Sequence, residues 1–317
     1  KRPGMYIGRL GNGSHIDDGI YILIKEVIDN SIDEFIMGFG SKIEIRLKEN
    51  QVRIRDWGRG IPLGKVIECV SEINTGAKYN DDVFQFSVGL NGVGTKAVNA
   101  LSSDFEVTSY REGKFTNAIF KQGILVKETN GKTKEGNGTE VIFTPDEELF
   151  GEYSFNEDFI ITRIWGYAYL NTGLSLEYNG RTFRSAKGLG DLLAKEVGDE
   201  GLYTTIHHKG EQLEFALTHV GGTYGESYFS YVNGQHTNDG GTHLSAFKEG
   251  IGRGISEHFK KNWSPQDVRE GVIGAIAVKI KSPIFESQTK NKLSNTEIRT
   301  WIVNEVKDAI IDFLLKN

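Results

Sequence analysis

Cysteine is nearly absent from this chain: Cys69 stands alone among 317 residues. That excludes an intrachain disulfide and a cysteine-built zinc site, and it fits a reducing, cytoplasmic location. Proline is scarce too, 5 residues against 39 glycines, so backbone freedom here lies in glycine hinges. Long hydrophobic runs are missing. The longest, such as residues 20–24, fall far short of the roughly 20 apolar residues a membrane helix needs, and no membrane partner is expected. Positive charge is not in excess, since 37 Lys and Arg stand against 43 Asp and Glu for a net charge of −6. A dedicated nucleic-acid-binding domain needs a basic face, so any DNA contact should be local. The first residues, Lys1-Arg2-Pro3-Gly4, form no cleavable leader and read as the start of an excised fragment. What is present, 38% hydrophobic and 25% charged residues, is the composition of a folded globular protein and excludes disorder as the main state.

At roughly 150 residues per domain, this length predicts two domains. Residues 16–37 place Ile20, Ile24, Val27, Ile28, Ile32 and Phe35 at helical spacing, with Asp17 and Asp18 at the positive end. Residues 42–49 and 51–56 alternate apolar and polar side chains around Asn50, the pattern of a β-hairpin. A glycine-studded segment, 76–94, reads as a lid before a short helix at 95–101. Strands are predicted at 104–110, 115–121, 123–128 and 139–144, a helix at 157–171, and more strand near 174–184. After Lys187 the pattern restarts: a helix at 189–197, strands at 203–208, 211–219 and 227–233, and a helix at 243–261. A strand at 271–280, a polar loop and a long helix at 296–315 complete it. The expectation is an α+β protein with domains 1–185 and 186–317 and no internal repeat.

Four clusters could carry chemistry. Glu26, Asp29, Asn30, Asp33 and Glu34 crowd one helix, and at 3.6 residues per turn Glu26 and Asn30 stack on one face. A solvated acidic face is the plain alternative, but these residues lie among Ile24, Val27, Ile28 and Ile32, so some must sit at a buried edge. A carboxylate beside a carboxamide there could orient water and ligate Mg²⁺. Asp56 opens a turn, DWGRGIP, where a carboxylate can accept from an exocyclic amine and glycines admit a flat ligand; a polar turn after a hairpin is the alternative. Gly89-Leu90-Asn91-Gly92-Val93-Gly94 opens a helix and offers amides to an anion such as phosphate. It is neither a Walker A loop, since Thr95-Lys96 reverses the required order, nor a GxGxxG fingerprint; a flexible loop is the alternative. Gln288-Thr289-Lys290 lies in a polar loop, where a lysine by itself is ordinarily just solvated.

Taken together and in order, KRPGMYIG (1–8), EVIDN (26–30), DWGRGIP (56–62), TGAKY (75–79), GLNGVG (89–94), GT (138–139), DGGTH (239–243) and QTK (288–290) resemble the ATPase region of bacterial type IIA topoisomerase B subunits, those of gyrase and topoisomerase IV. The resemblance spans nearly the whole chain. It implies a GHKL (Bergerat) ATPase sandwich followed by a ribosomal-S5-domain-2-like transducer domain. ATP and Mg²⁺ are the implied cofactors. Residue by residue, it makes Glu26 the base that aligns water, Asn30 the protein ligand of Mg²⁺, and Asp56 the partner of the adenine amine, supported by Thr139. Gly89, Gly92 and Gly94 with Leu90, Asn91 and Val93 would cradle the phosphates near Lys78. Arg59, Gly60 and Pro62 would line the nucleotide pocket, and Glu34 would pair with Arg59 or Arg111. Gln288 and Lys290 would reach the γ-phosphate from the second domain.

The same resemblance implies a homodimer through the ATPase region, with a topoisomerase A subunit and double-stranded DNA as partners. No EGDSA or paired DxD motif occurs in the sequence, so no cleavage-supporting domain is expected in this stretch. The family's dimer-embracing arm is not seen before Arg2, which leaves open a nucleotide-gated dimerisation module with little turnover. A MutL-like repair ATPase is disfavoured by the QTK and DGGTH motifs. Trp57 and Asn91 stand where many gyrase relatives carry aspartate and histidine, and the wording of 1–8 and 17–34 favours topoisomerase IV over gyrase.

Overall fold

The computed structural model describes residues 3–72, 93–222, 224–287 and 290–317. Two compact units divide the chain, Lys1–Ser185 and Ala186–Asn317.

In the first unit an eight-stranded sheet runs in the order β5-β4-β3-β6-β2-β1-β7-β8. Its strands are β1 (Lys42–Lys48), β2 (Gln51–Asp56), β3 (Ser102–Arg111), β4 (Lys114–Lys121), β5 (Ile124–Lys132), β6 (Gly138–Pro145), β7 (Ser175–Tyr178) and β8 (Arg181–Phe183). All neighbours are antiparallel except β1 and β7, which pair in parallel. The helices are α1 (Gly4–Ile7), α2 (Gly19–Ile36), α3 (Val66–Ser71), α4 (Gly94–Ala100), α5 (Glu147–Phe150) and α6 (Glu157–Leu170). Alternation decides the sheet's packed face: Thr116, Ala118 and Phe120 of β4 are buried while their neighbours are not, and Phe105 and Val107 of β3 join them. Ile20, Leu23, Val27 and Ile28 of α2 and Ile160 and Ile164 of α6 close one core with these strands. Asp18, expected to serve the helix dipole, does something else. Its carboxylate is fully buried and turned back on the preceding loop, accepting from the amides of Gly13 and His15 instead of capping α2.

The second unit adds α7 (Leu189–Val197), β9 (Ile206–Lys209), β10 (Leu213–His219), β11 (Ser227–Val232), β12 (Gln235–His236), α8 (Thr242–Phe259), α9 (Pro265–Arg269), β13 (Val272–Val278) and α10 (Arg299–Lys316). Its sheet runs β12-β11-β13-β10-β9, with β11 and β13 parallel. Phe215, Val232, Phe247, Ile276, Ile302, Val306 and Ile310 form its core. Ile302, Val306 and Ile310, four residues apart, give α10 its buried face. Elements without a sequence signal are short: α1, α3, α5, α9 and β12 are at most six residues long, too brief for periodicity to register.

Glycines inside α8 let it close on α10. A Cβ on Gly250 would stand 2.7 Å from Cβ of Val306, whereas one on Gly252 would meet nothing nearer than 3.8 Å. Alanine is the better helix former by about 0.8–1 kcal/mol, so Gly252→Ala is expected to raise the melting temperature. Gly250→Ala should lower it, because overpacking costs roughly 1–3 kcal/mol. Thermal unfolding of the two variants checks this; equal shifts would refute the close-approach argument.

Candidate functional site

Helix α2 carries one polar stripe that stays half-open. Glu26, Asn30 and Glu34 are partly exposed, while Lys25, Asp29, Ser31 and Asp33 between them are buried. Residues four apart lie on one face, so the stripe runs along about 12 Å of helix. The buried set is structural. Lys25 Nζ donates to Asp29 Oδ2 at 2.5 Å and the Tyr167 hydroxyl donates to Asp29 Oδ1 at 2.9 Å, tying α2 to α6. Burial alone would pull the Lys25 ammonium's pKa down, but the Asp29 and Glu26 carboxylates outweigh it and hold it above its ordinary value.

The stripe's first turn faces the start of α4. Asn30 Nδ2 donates to the Glu26 carbonyl at 2.9 Å and to Thr95 Oγ1 at 2.6 Å, which fixes the carboxamide plane. Glu26 Oε2 lies against Gly94, where a Cβ would come within 2.0 Å of it. Only glycine lets that carboxylate approach. Val93 is the N-cap residue of α4, so Glu26, Asn30, Val93 and Gly94 are brought together. Lys78, Gly89, Leu90, Asn91, Gly92 and Gln288 lie outside the described residues.

The next residue of α2 after Asn30 is Ser31, whose hydroxyl donates to Asp56 Oδ2 at 3.0 Å. Asp56 Oδ1 accepts from the amides of Gly58 at 2.9 Å and Thr139 at 3.2 Å. Burial pushes the Asp56 carboxyl above its usual pKa, against the pull of those three donors. The turn around it is tight. Gly60 sits at φ +77° with the Tyr110 carbonyl 2.5 Å from where a Cβ would be, and Gly138 at φ +141° has the Asp56 carbonyl at 2.1 Å. Arg55, stacked between the rings of Trp57 and Tyr110, donates to the carbonyls of Asp56 and Gly136. Pro62 ends the turn ahead of a short 3₁₀ segment, Leu63–Lys65.

At the end of the stripe, Glu34 binds Arg59 three times: its Oε2 accepts from the Arg59 backbone amide and Nε at 3.0 and 3.1 Å, and its Oε1 from Nη2 at 2.9 Å. Arg111 instead donates to the Gly60 carbonyl, which settles the two pairings predicted for Glu34 in favour of Arg59. Beside them opens a pocket of about 400 Å³ that includes Phe39, Trp57, Arg59, Arg111 and Asn137. Lys290 belongs to the second unit and lies in the loop after β13.

These groups suit a nucleotide and Mg²⁺. A carboxylate has about four acceptor positions and Asp56 uses three on the protein, which leaves room for one more donor such as an exocyclic amine. No group of three or more His, Cys, Asp or Glu side chains among the described residues could hold a metal by itself. A divalent ion here would depend on Asn30 together with ligand oxygens, the sparse protein coordination typical of Mg²⁺ on phosphates. The sequence analysis does not single out Ser31 or Arg55; the one available hint was a serine, Ser31, on the apolar side of a helix.

Residues 15–149 match the family described as histidine kinase-, DNA gyrase B-, and HSP90-like ATPase, and residues 188–317 match DNA gyrase B. The B subunit of DNA topoisomerase 4 from Borreliella burgdorferi is 58% identical over all 317 residues, which span 53% of it. The chain belongs to the gyrase B and topoisomerase IV B family. Its two units are accordingly a GHKL ATPase domain and a transducer-like domain of the type IIA topoisomerases. The B subunit of DNA gyrase from Clostridium acetobutylicum is less similar, 34% identical with the whole chain matched to 54% of that protein. The chain thus spans about half the length of the curated relatives it matches. Among solved structures, the 43K ATPase domain of Thermus thermophilus gyrase B in complex with an aminocoumarin superposes with a TM-score of 0.77 at 29% identity, over all of this chain and 88% of that one.

Ionising Asp56 costs the folded protein free energy, since its folded pKa is raised above the unfolded value of about 3.9. The cost is absent below pH 4 or so, where both states are protonated, and complete above the raised folded pKa. Asp56→Asn should therefore raise the melting temperature at pH 7 by a few degrees, a gain that fades as pH falls through that window. Melting curves between pH 3.5 and 7 check this; a variant less stable at pH 7 would contradict the sign.

Proposed function

We propose that this chain binds ATP with Mg²⁺ along the half-open stripe of α2. In the complete protein it would hydrolyse ATP to drive DNA strand passage, in a topoisomerase IV rather than a gyrase. The observation that supports this best is the meeting of Glu26, Asn30 and Gly94 at the start of α4, because a water-orienting carboxylate, a cation-holding carboxamide and helix-terminal amides are what phosphoryl transfer requires.

In this reading Asp56, backed by the Thr139 amide, accepts a hydrogen bond from the adenine amine, and Arg59, Gly60 and Pro62 border the base. Asn30 is the protein residue that would hold Mg²⁺. Bound Mg²⁺ supplies charge neutralisation on the phosphate oxygens. The amides of the 89–94 segment and Lys78 cradle the phosphates. Glu26 aligns a water and takes its proton as the water's oxygen bonds to the γ-phosphorus and the bond to the β-phosphate oxygen breaks. Lys290, with Gln288, brings positive charge to the γ-phosphate from the second unit, and its release after hydrolysis converts nucleotide state into domain movement. A second copy of this chain, a topoisomerase A subunit and double-stranded DNA are the proposed partners, and the cytoplasm the location. The 58% identity to a topoisomerase 4 relative, against 34% to a gyrase relative, supports that choice.

Calorimetry with Mg²⁺ and ATP tests binding, and steady-state turnover tests the roles. Glu26→Ala is expected to bind ATP normally and lose turnover by about 10²–10⁴-fold; unaltered turnover would remove Glu26 as the base. Lys290→Ala should lose hydrolysis more than binding, and equal losses would contradict a role confined to the γ-phosphate. No heat on titrating ATP into folded protein would overturn the whole reading.

A further inference from the structure

The loop that presents Lys290 is not held by its own strand ends alone. On either side of residues 288–289 the chain pairs with itself: Phe285 bridges Leu293 antiparallel, the Glu286 amide donates to the Lys292 carbonyl, and the Ser294 amide to the Ile284 carbonyl. The Lys290 amide donates to the Ser287 carbonyl at 3.0 Å, with Lys290 at φ +58°, a left-handed conformation uncommon for a residue with a side chain. Backbone bonds from another segment hold these residues as well. The Asp239 amide donates to the Asn291 carbonyl at 3.0 Å, the Leu293 amide to the Gly240 carbonyl at 3.1 Å, and the Thr242 amide to the Leu293 carbonyl at 3.1 Å. Thr242 is the first residue of α8, so one of that helix's otherwise unpaired amides is satisfied by Leu293. Gly241 makes the approach possible. It sits at φ +125°, and a Cβ there would lie 2.3 Å from the Leu293 carbonyl oxygen and 2.5 Å from its nitrogen, both backbone atoms with no rotamer to yield.

The turn is itself anchored from below by buried polar groups. Thr237 Oγ1 donates to the Ser230 carbonyl at 2.9 Å, and the Ser230 hydroxyl donates to the Thr237 carbonyl at 2.9 Å. The Thr237 hydroxyl is also hydrogen-bonded with His243 Nε2 at 3.0 Å. His243 is fully buried and burial pushes its pKa down to about 3, so it stays neutral and the anchor does not titrate near neutrality.

We propose that the 239–243 turn is a clasp whose task is to aim Lys290, with Gly241, Thr237 and His243 as positioning residues for the transfer step. This rests on the reading of Lys290 as the γ-phosphate cation, and it goes beyond that reading by assigning a catalytic purpose to residues that touch neither nucleotide nor metal. In a clasp of this kind, loosening the mount misdirects one charge without disturbing the nucleotide pocket on α2.

The test is Gly241→Ala in the full-length protein, with Thr237→Val, which keeps the shape and removes the hydroxyl, as an independent second variant. Both are expected to lower kcat about tenfold while leaving KM within about twofold. Amide exchange at Leu293 and Thr242 should rise roughly tenfold, with no change at the β13 amides. Gly250→Ala, which strains the same unit away from the clasp, is the control for lost stability and should keep its kcat. Unchanged exchange at Leu293 in both variants would overturn the clasp, and so would a Gly250→Ala that loses as much kcat as Gly241→Ala. Raised exchange with intact kcat, where Lys290→Ala abolishes turnover, would overturn the aiming role. If Lys290→Ala itself keeps its kcat, the reading of Lys290 fails and the catalytic purpose of the clasp falls with it, while the exchange result still reports whether the mount exists.

Discussion

Asp56 is a carboxylate taken out of water and held by three donors from three separate segments: the Ser31 hydroxyl on α2, the Gly58 amide after β2, and the Thr139 amide at the start of β6. Removing a charged group from water is costly unless its lone pairs are met, and here the donors come from α2, the turn after β2 and the start of β6. The bond from Ser31 fixes the rotation of α2 against the sheet. Once that rotation is set, Glu26, Asn30 and Glu34 must face the same way, one toward α4, one toward Thr95 and one toward Arg59. A small change in the rotation would redirect all three. Burial raises the pKa of Asp56, so keeping this carboxylate ionised inside the fold costs stability.

Glycine does a second kind of work, by letting parts come closer than a side chain would allow. Gly94 admits the Glu26 carboxylate, Gly138 admits the Asp56 backbone, and Gly241 admits Leu293. At Gly138 and Gly241 the nearest neighbours are backbone atoms with no rotamer to yield, whereas at Gly94 it is the end of the Glu26 side chain. Gly250 and Gly254 of α8 act differently, admitting Val306 and Ile310 of α10 and so serving the core of the second unit. The two uses look identical in composition and separate only when the neighbour is known.

Much of the fold was legible because it follows from period. The α2 pattern, the β1–β2 hairpin, strands β3, β4 and β6 and the last helix carry side chains whose alternation or 3.6-residue spacing matches the face they bury, while β5 buries none. The short elements were not legible, since a helix such as Val66–Ser71 presents too few residues to show a face. At the site, the stacking of Glu26 over Asn30 was readable from spacing, and Asn30 does bond to the Glu26 carbonyl. Which side of the acidic cluster would be buried was not readable. Asp29 and Asp33 are inside, Asp29 held by Lys25 and Tyr167, and nothing in the spacing distinguishes these carboxylates from a solvated face.

The sequence by itself determined the order of the elements, the apolar faces and the family, because periodicity and motif spacing are local properties that survive without coordinates. Tertiary structure alone decided the partners. It paired Ser31 with Asp56, Thr95 with Asn30 and Arg59 rather than Arg111 with Glu34, turned Asp18 from the helix it precedes to the loop behind it, and set Leu293 against Gly241. Each of those contacts joins residues whose proximity depends on how helices and strands pack. A hydrogen bond forms only within about 3 Å, a distance that sequence separation leaves open and a packed core closes.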